Sequence, residues 1–208
     1  MSADLGFIHR WEPGTSERTL LLLHGTGGDE HDLLELGRSL DPAANLLSPR
    51  GKVLEHDAPR FFRRLALGVF DEADLVVRTH ELADFVGVAG AHYGFDPGLV
   101  VAVGFSNGAN IAASALLLRP ELLSGAALLR AMVPLTPTQL PDLAGREVLV
   151  AAGLADHLVP PDGSKRLAEM LERAGATVKV HWSPSGHFLD GGDIGAARDW
   201  LARRAKAA

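Results

Sequence analysis

The run Val100-Val-Ala-Val-Gly104-Phe-Ser106-Asn-Gly108-Ala-Asn110 sets a serine between two glycines at the spacing Gly-x-Ser-x-Gly. Six apolar or glycine residues, Val100 to Phe105, precede Ser106, and Ala109, Ile111, Ala112 and Ala113 follow it. That is the pattern of a nucleophile elbow, in which a strand turns sharply into a helix and the serine oxygen projects beyond the sheet. The glycines are needed because the turn brings packed chain too close for a Cβ. The pattern alone is weak, since a shuffled chain of this composition shows it about 0.1 times, so the case rests on the strand before and the small-residue helix after. The competing reading is an ordinary tight strand-helix turn.

A serine hydroxyl is a poor nucleophile at neutral pH. It needs a histidine to take its proton and a carboxylate to hold that histidine in the right tautomer. Downstream, Gly153-Leu-Ala-Asp156-His-Leu-Val-Pro160 places an aspartate just past an apolar run, and Ser183-Pro-Ser-Gly186-His187-Phe188 places a histidine past the next one. Of the nine histidines, His31, His56, His80 and His92 precede the serine in loops or on helix faces, His157 adjoins the acid, and His181 lies within a strand. His187 is therefore the expected base. Asp142, Asp162 and Asp190 compete for the acid, but Asp162 reads as the cap of the following helix, which leaves Asp156.

Acyl transfer also needs two backbone donors for the developing oxyanion. Asn107, the residue after the serine, supplies one. Leu20-Leu-Leu-Leu-His24-Gly25-Thr26-Gly27-Gly28-Asp29 is a buried strand running into a glycine loop, and Thr26 is the expected second donor. A phosphate loop is the rival reading, but no Gly-Lys-Ser/Thr follows and the glycine spacing does not suit a dinucleotide.

These residues require strands whose carboxyl ends share one edge. Short apolar runs alternate with amphipathic stretches along nearly the whole chain, which indicates an α/β fold with a mostly parallel sheet and helices on both faces. Strands are predicted at 19–24, 45–48, 99–105, 125–129, 147–152 and 177–182, with an edge strand at 5–11. Helices are predicted at 31–39, 73–93, 107–118, 163–174 and 193–206. Ser106, Asp156 and His187 then fall at the sheet edge where ligands bind in open α/β sheets. Two connections, 49–71 and 131–146, are irregular. No repeat or interdomain linker is visible, so residues 1–208 read as one domain.

Composition agrees. A chain of 208 residues and 22.0 kDa is expected to leave about 9,300 Å² exposed and to bury roughly 70% of its surface. Twenty basic against 26 acidic residues, with the basic ones scattered except around Arg60 to Arg64, argue against a nucleic-acid partner. No apolar run reaches membrane-span or signal-peptide length, so a soluble cytoplasmic protein is expected, with no membrane partner. The chain has no cysteine, which excludes disulfides, thiolate metal sites and a cysteine nucleophile. No metal or cofactor is called for.

The residues together resemble the phospholipase/carboxylesterase family of α/β-hydrolases, nearest to its small bacterial carboxylesterases. The likeness rests on Leu23-His-Gly-Thr-Gly-Gly-Asp-Glu30, Leu47-Ser-Pro-Arg-Gly51, Pro59-Arg-Phe-Phe-Arg-Arg64, Val69-Phe-Asp-Glu-Ala-Asp-Leu75, Gly104-Phe-Ser-Asn-Gly-Ala-Asn110, Gly153-Leu-Ala-Asp156 and Ser185-Gly-His187. It implies Ser106, Asp156 and His187 as triad and Thr26 and Asn107 as oxyanion donors, matching the residue-level reading. It also implies a homodimer, since family members often dimerise. One departure stands out: His56-Asp57 occupies a place where Asn-Gly is expected.

Only about 17 residues separate the strand ending at Leu129 from the next, so no separate cap domain is expected and the site should be shallow. Phe61 and Phe62 are candidates to wall an acyl or aryl pocket, although adjacent phenylalanines equally suit a core, with one in and one out. Leu158 is a third candidate. The expected activity is a serine carboxylesterase acting on short-chain or aryl esters through an acyl-enzyme. A thioesterase or lysophospholipase is the alternative, and a non-catalytic small-molecule receptor of the same fold is a remote one. Arg60, Arg63 and Arg64 could guide an anionic substrate, but a solvated basic face is the favoured reading.

Overall fold

A computed structural model describes residues 5–204 of the chain. In order it runs β1 (His9–Glu12), β2 (Thr19–Leu23), α1 (Leu34–Leu40), β3 (Asn45–Pro49), β4 (Val53–Glu55), β5 (Ala58–Arg60), β6 (Arg64–Ala66) and β7 (Val69–Phe70). There follow α2 (Glu72–Tyr93), β8 (Val100–Phe105), α3 (Asn107–Leu118), β9 (Gly125–Leu129), β10 (Glu147–Gly153), α4 (Pro161–Arg173), β11 (Thr177–Ser183) and α5 (Gly191–Arg204). One seven-stranded sheet has the order β1-β3-β2-β8-β9-β10-β11, parallel throughout except for β1 at its edge.

Alternation along each strand divides the core into two layers. Leu21, Leu23, Ala102, Leu128 and Val150 face α2, α3 and α4, while Leu20, Leu22, Val103, Leu129 and Leu149 face α1 and α5. The four leucines of β2 are at most 1% exposed. At roughly 1.5–3 kcal/mol for each fully buried leucine, the central strand cannot slip without flipping its side chains, and this fixes the glycine loop that follows. The total exposed surface of 9314 Å² agrees with the size expectation.

The strands and helices lie where the apolar pattern predicts them, with several shifts at the ends. The edge strand starts at His9, since Gly6 turns the chain at φ +87°. The first helix starts at Leu34 because the Asp29 carboxylate accepts from His31 N and holds a turn there. In α4, Pro160 is the N-cap and Pro161 opens the helix, so Asp162 sits in the first turn and is not the cap. Residues 205–206 of the last predicted helix lie outside the described residues.

The segment 49–71, expected to be irregular, holds two small hairpins, β4–β5 and β6–β7. Three-residue strands with polar ends give no readable period. The turn between β4 and β5 has His56 at φ +49° and Asp57 at φ +65°. Such a turn favours Asn-Gly, which explains why His-Asp stands out in the sequence: the conformation is kept by residues less suited to it. Between β9 and β10, residues 130–146 contain neither helix nor strand.

Candidate active site

The loops after β2, β8, β10 and β11 meet at the carboxyl edge of the sheet. β2 and β8 are neighbours there although 76 residues separate their ends, because β3 pairs on the far side of β2. This is a topological switch point, the place where open α/β sheets bind ligands.

Ser106 joins β8 to α3 with φ +52° and ψ −112°. A non-glycine residue rarely adopts this conformation, and here it is imposed from both sides. Ser106 N donates to Leu129 O at 2.8 Å, and Asn110 N donates back to Ser106 O at 3.0 Å. A Cβ on Gly104 would lie 2.6 Å from Gly108 O, and one on Gly108 would run into the carbonyl oxygens of Leu23 and His24. Both glycines are therefore required by close approach.

His187 Nε2 lies 2.9 Å from Ser106 Oγ, and His187 Nδ1 lies 2.8 Å from Asp156 Oδ2. Asp156 is 3% exposed, and its Oδ1 accepts from Leu158 N at 2.8 Å and Val159 N at 2.9 Å. Four anchored contacts thus hold one hydroxyl, one imidazole and one carboxylate in line. A carboxylate accepts only, so Nδ1 carries the proton and Nε2 is free to accept from the serine hydroxyl. The competing residues are elsewhere: His157 is exposed, Asp190 accepts from Gly192 N and Asp193 N at the start of α5, and Asp142 accepts from Ala144 N in a turn.

Thr26 and Asn107 stand beside Ser106 in the lining of one pocket. Neither backbone N–H has an acceptor among the described residues. Both residues are gripped by one short segment: Pro59 O accepts from Gly27 N at 2.9 Å, Arg60 Nη1 donates to Thr26 Oγ1 at 2.6 Å, and Phe61 N donates to Asn107 Oδ1 at 2.7 Å. His24 completes the clamp. Its Nδ1 lies 2.6 Å from Gly25 O and its Nε2 accepts from Gly51 N at 2.9 Å, while burial pushes its pKa below the ordinary histidine value. The two partners demand a neutral ring with the proton on Nδ1.

The chain is 52% identical over 192 residues to MhqD of Bacillus subtilis (strain 168), whose name assigns it to the hydrolases; the match spans 92% of this chain and 96% of that one. A Bacillus cereus carboxylesterase structure shares 47% identity and a TM-score of 0.91, covering 93% of this chain and 92% of its own. The chain belongs to this family of small bacterial carboxylesterases. A Mesorhizobium loti carboxylesterase of the same group matches at 36% identity and TM-score 0.90 over 97% of each chain. No protein-family model matches the chain. As a member of these carboxylesterases it is a hydrolase with the α/β-hydrolase fold.

The carboxylesterase pocket encloses about 290 Å³ beside Ser106 and His187. Leu158 lines it, together with Leu67, Phe70, Phe105, Met132 and Phe188. Phe61 and Phe62 do not. They are 2% and 0% exposed and belong to the core, because the hydrogen bond from Phe61 N to Asn107 turns this stretch of chain inward. Within the 49–71 segment the apolar pocket wall comes instead from Leu67 and Phe70 of the β6–β7 hairpin. Arg60 lines the pocket too and is 3% exposed, so it is not on a solvated face.

Arg130 is a residue that the sequence pattern did not reveal. It follows β9 with φ +61° and is fully buried. It pairs with Asp193 and also donates to Gly186 O at 2.9 Å and Phe188 O at 3.1 Å, on either side of His187. The available signal was a charged residue directly after a strand buried along its whole length. Among the described residues Asp29, Glu30 and His31 have metal-ligand reach, but both Glu30 oxygens already accept from Arg50, at 2.5 and 2.9 Å. No helix among the described residues is long and apolar enough to cross a membrane.

Proposed function

We propose that the protein is a serine carboxylesterase that hydrolyses short-chain or aryl carboxylic esters through an acyl-enzyme. The observation that carries this reading is the unbroken line Ser106 Oγ, His187, Asp156, with contacts of 2.9 and 2.8 Å. Ser106 Oγ attacks the ester carbonyl carbon while its proton passes to His187 Nε2, and Asp156 stabilises the imidazolium that forms. The carbonyl oxygen becomes an oxyanion that accepts from Thr26 N and Asn107 N. Collapse breaks the ester C–O bond, and His187 returns the proton to the departing alcohol. Water then repeats the sequence on the acyl-enzyme, releasing the acid and restoring Ser106.

The short-chain preference is supported by size. A pocket of about 290 Å³ is at the small end of ligand sites, and no cap inserted between β9 and β10 extends it. A thioesterase or lysophospholipase acting on long acyl chains needs a longer apolar channel. Changing Ser106→Ala is expected to lower turnover of 4-nitrophenyl acetate by about 10⁴ or more. A fluorophosphonate probe should label the wild type and spare the variant. Full activity in the variant, or no labelling of folded wild type, would reject Ser106 as the nucleophile.

A further inference from the structure

Two arginines and no acidic residue line the pocket. Arg60 donates from Nη1 to Thr26 Oγ1 and from Nε to Phe62 O at 3.2 Å. Arg64 donates from Nε to Glu55 Oε1 at 2.9 Å, and Glu55 Oε2 lies 3.2 Å from Arg60 Nη1. One carboxylate facing two guanidinium groups leaves one positive charge over. Arg60 Nη2 and both Nη atoms of Arg64 have no acceptor among the described residues. Burial, and next the charge of Arg64, push Arg60 below the ordinary arginine value, with Glu55 opposing. The pocket therefore holds a positive charge that its own residues only partly neutralise, and an anion entering it relieves the repulsion.

We propose that the preferred substrates are compact esters carrying a carboxylate remote from the scissile bond, which Arg64 and Arg60 receive. This inference rests on the esterase reading above. A guanidinium fork fits a carboxylate with two parallel donors, and a partly desolvated pair strengthens the contact. Leu67, Phe70 and Met132 line the same pocket and offer apolar wall to the methylenes or ring between the two ends. The exclusion of long chains and the need for charge act together: a short neutral ester leaves the arginines unpaired, and a long one does not fit.

Two matched pairs test this and show which side of the ester bears the charge. 4-Nitrophenyl hydrogen adipate is compared with 4-nitrophenyl hexanoate, and 4-acetoxybenzoate with phenyl acetate, in wild type and in Arg64→Gln. For at least one charged ester kcat/KM should fall by about tenfold or more in the variant, through KM, while its neutral counterpart changes by less than about twofold. A response in the first pair puts the carboxylate on the acyl side, and one in the second puts it on the alcohol side. Parallel changes in charged and neutral esters would overturn the proposal.

A wild-type measurement removes any doubt over folding of the variant. Adipate should inhibit competitively and lose potency between about 50 and 500 mM NaCl, whereas 1,6-hexanediol should not inhibit comparably. Equal inhibition by the two would also overturn it. Neutral esters hydrolysed through Ser106 but without charge preference would sink this inference alone; loss of the Ser106 dependence would sink the esterase reading.

Discussion

Asp193 accepts from both Nη atoms of Arg130, at 3.0 and 2.6 Å, and neither side chain is exposed to solvent. The pair lies under the 183–188 loop. Arg130 reaches Gly186 O, Phe188 O and, at 2.8 Å, Ser185 Oγ, while Asp193 lies in the first turn of α5 and also accepts from Asp190 N at 2.9 Å. The chain on both sides of His187 is thus tied to one guanidinium, and that guanidinium is tied to one helix. Arg130 touches neither Ser106 nor Asp156, so it is a positioning residue.

Breaking this pair by removing one partner should destabilise the fold by about 3–5 kcal/mol, because the other charge is left buried and alone. Arg130→Met and Asp193→Leu should each lower the urea midpoint strongly. The double variant should lose less than the sum of the two, since it buries no unpaired charge. Additive losses would show that the two groups do not act as a pair. In whichever single variant still folds, kcat should fall more than KM rises, as the His187 loop loses its tether.

The elbow makes a contrasting prediction about glycines. Gly108→Ala would drive a Cβ into the Leu23 and His24 carbonyls, and backbone cannot yield as a side-chain tip does. A loss of about 3 kcal/mol or more, or failure to fold, is expected. Gly87, within α2, has no atom within 4 Å of an added Cβ. There Gly87→Ala should stabilise by about 0.5–1 kcal/mol through helix propensity. Equal effects of the two in thermal unfolding would contradict the close approach at Gly108.

Buried parallel strands are continuous apolar runs, so β2, β8, β9 and β10 could be read directly, and residues fixed to their ends followed. Ser106 and Asp156 belong to that set. Contacts between segments far apart in the chain left no such trace. Arg130 and Asp193 are 63 residues apart, and neither has a spacing that singles it out. Phe61 and Phe62 misled because pocket wall and core want the same residue type. What put them in the core was a backbone hydrogen bond to Asn107, which residue types do not encode.

His24 gives the fold a dependence on pH whose direction is fixed by its surroundings. Burial lowers its pKa from the ordinary 6.5, so below that value the unfolded chain binds a proton that the native ring refuses. Stability is therefore unaffected by His24 above about pH 6.5 and declines as pH falls from there toward the lowered native value, by up to about 1.4 kcal/mol per pH unit. Asp29 and Glu30 act in a separate, more acidic window. The His31 N–H holds Asp29 below 3.8; for Glu30 burial pulls upward, but the Arg50 guanidinium outweighs it and keeps the carboxylate below 4.5. Their contribution is present above those values and is lost as pH falls through the lowered ones. His24→Phe keeps a ring against Phe61, whose centroid is 4.7 Å away, but strips Gly51 N of its acceptor. The variant should be less stable by about 1–3 kcal/mol at pH 7.5 and should lose less stability between pH 7.5 and 5.5 than the wild type does. Urea unfolding at the two pH values measures both effects, and an unchanged difference between them would mean that some other group carries the upper window.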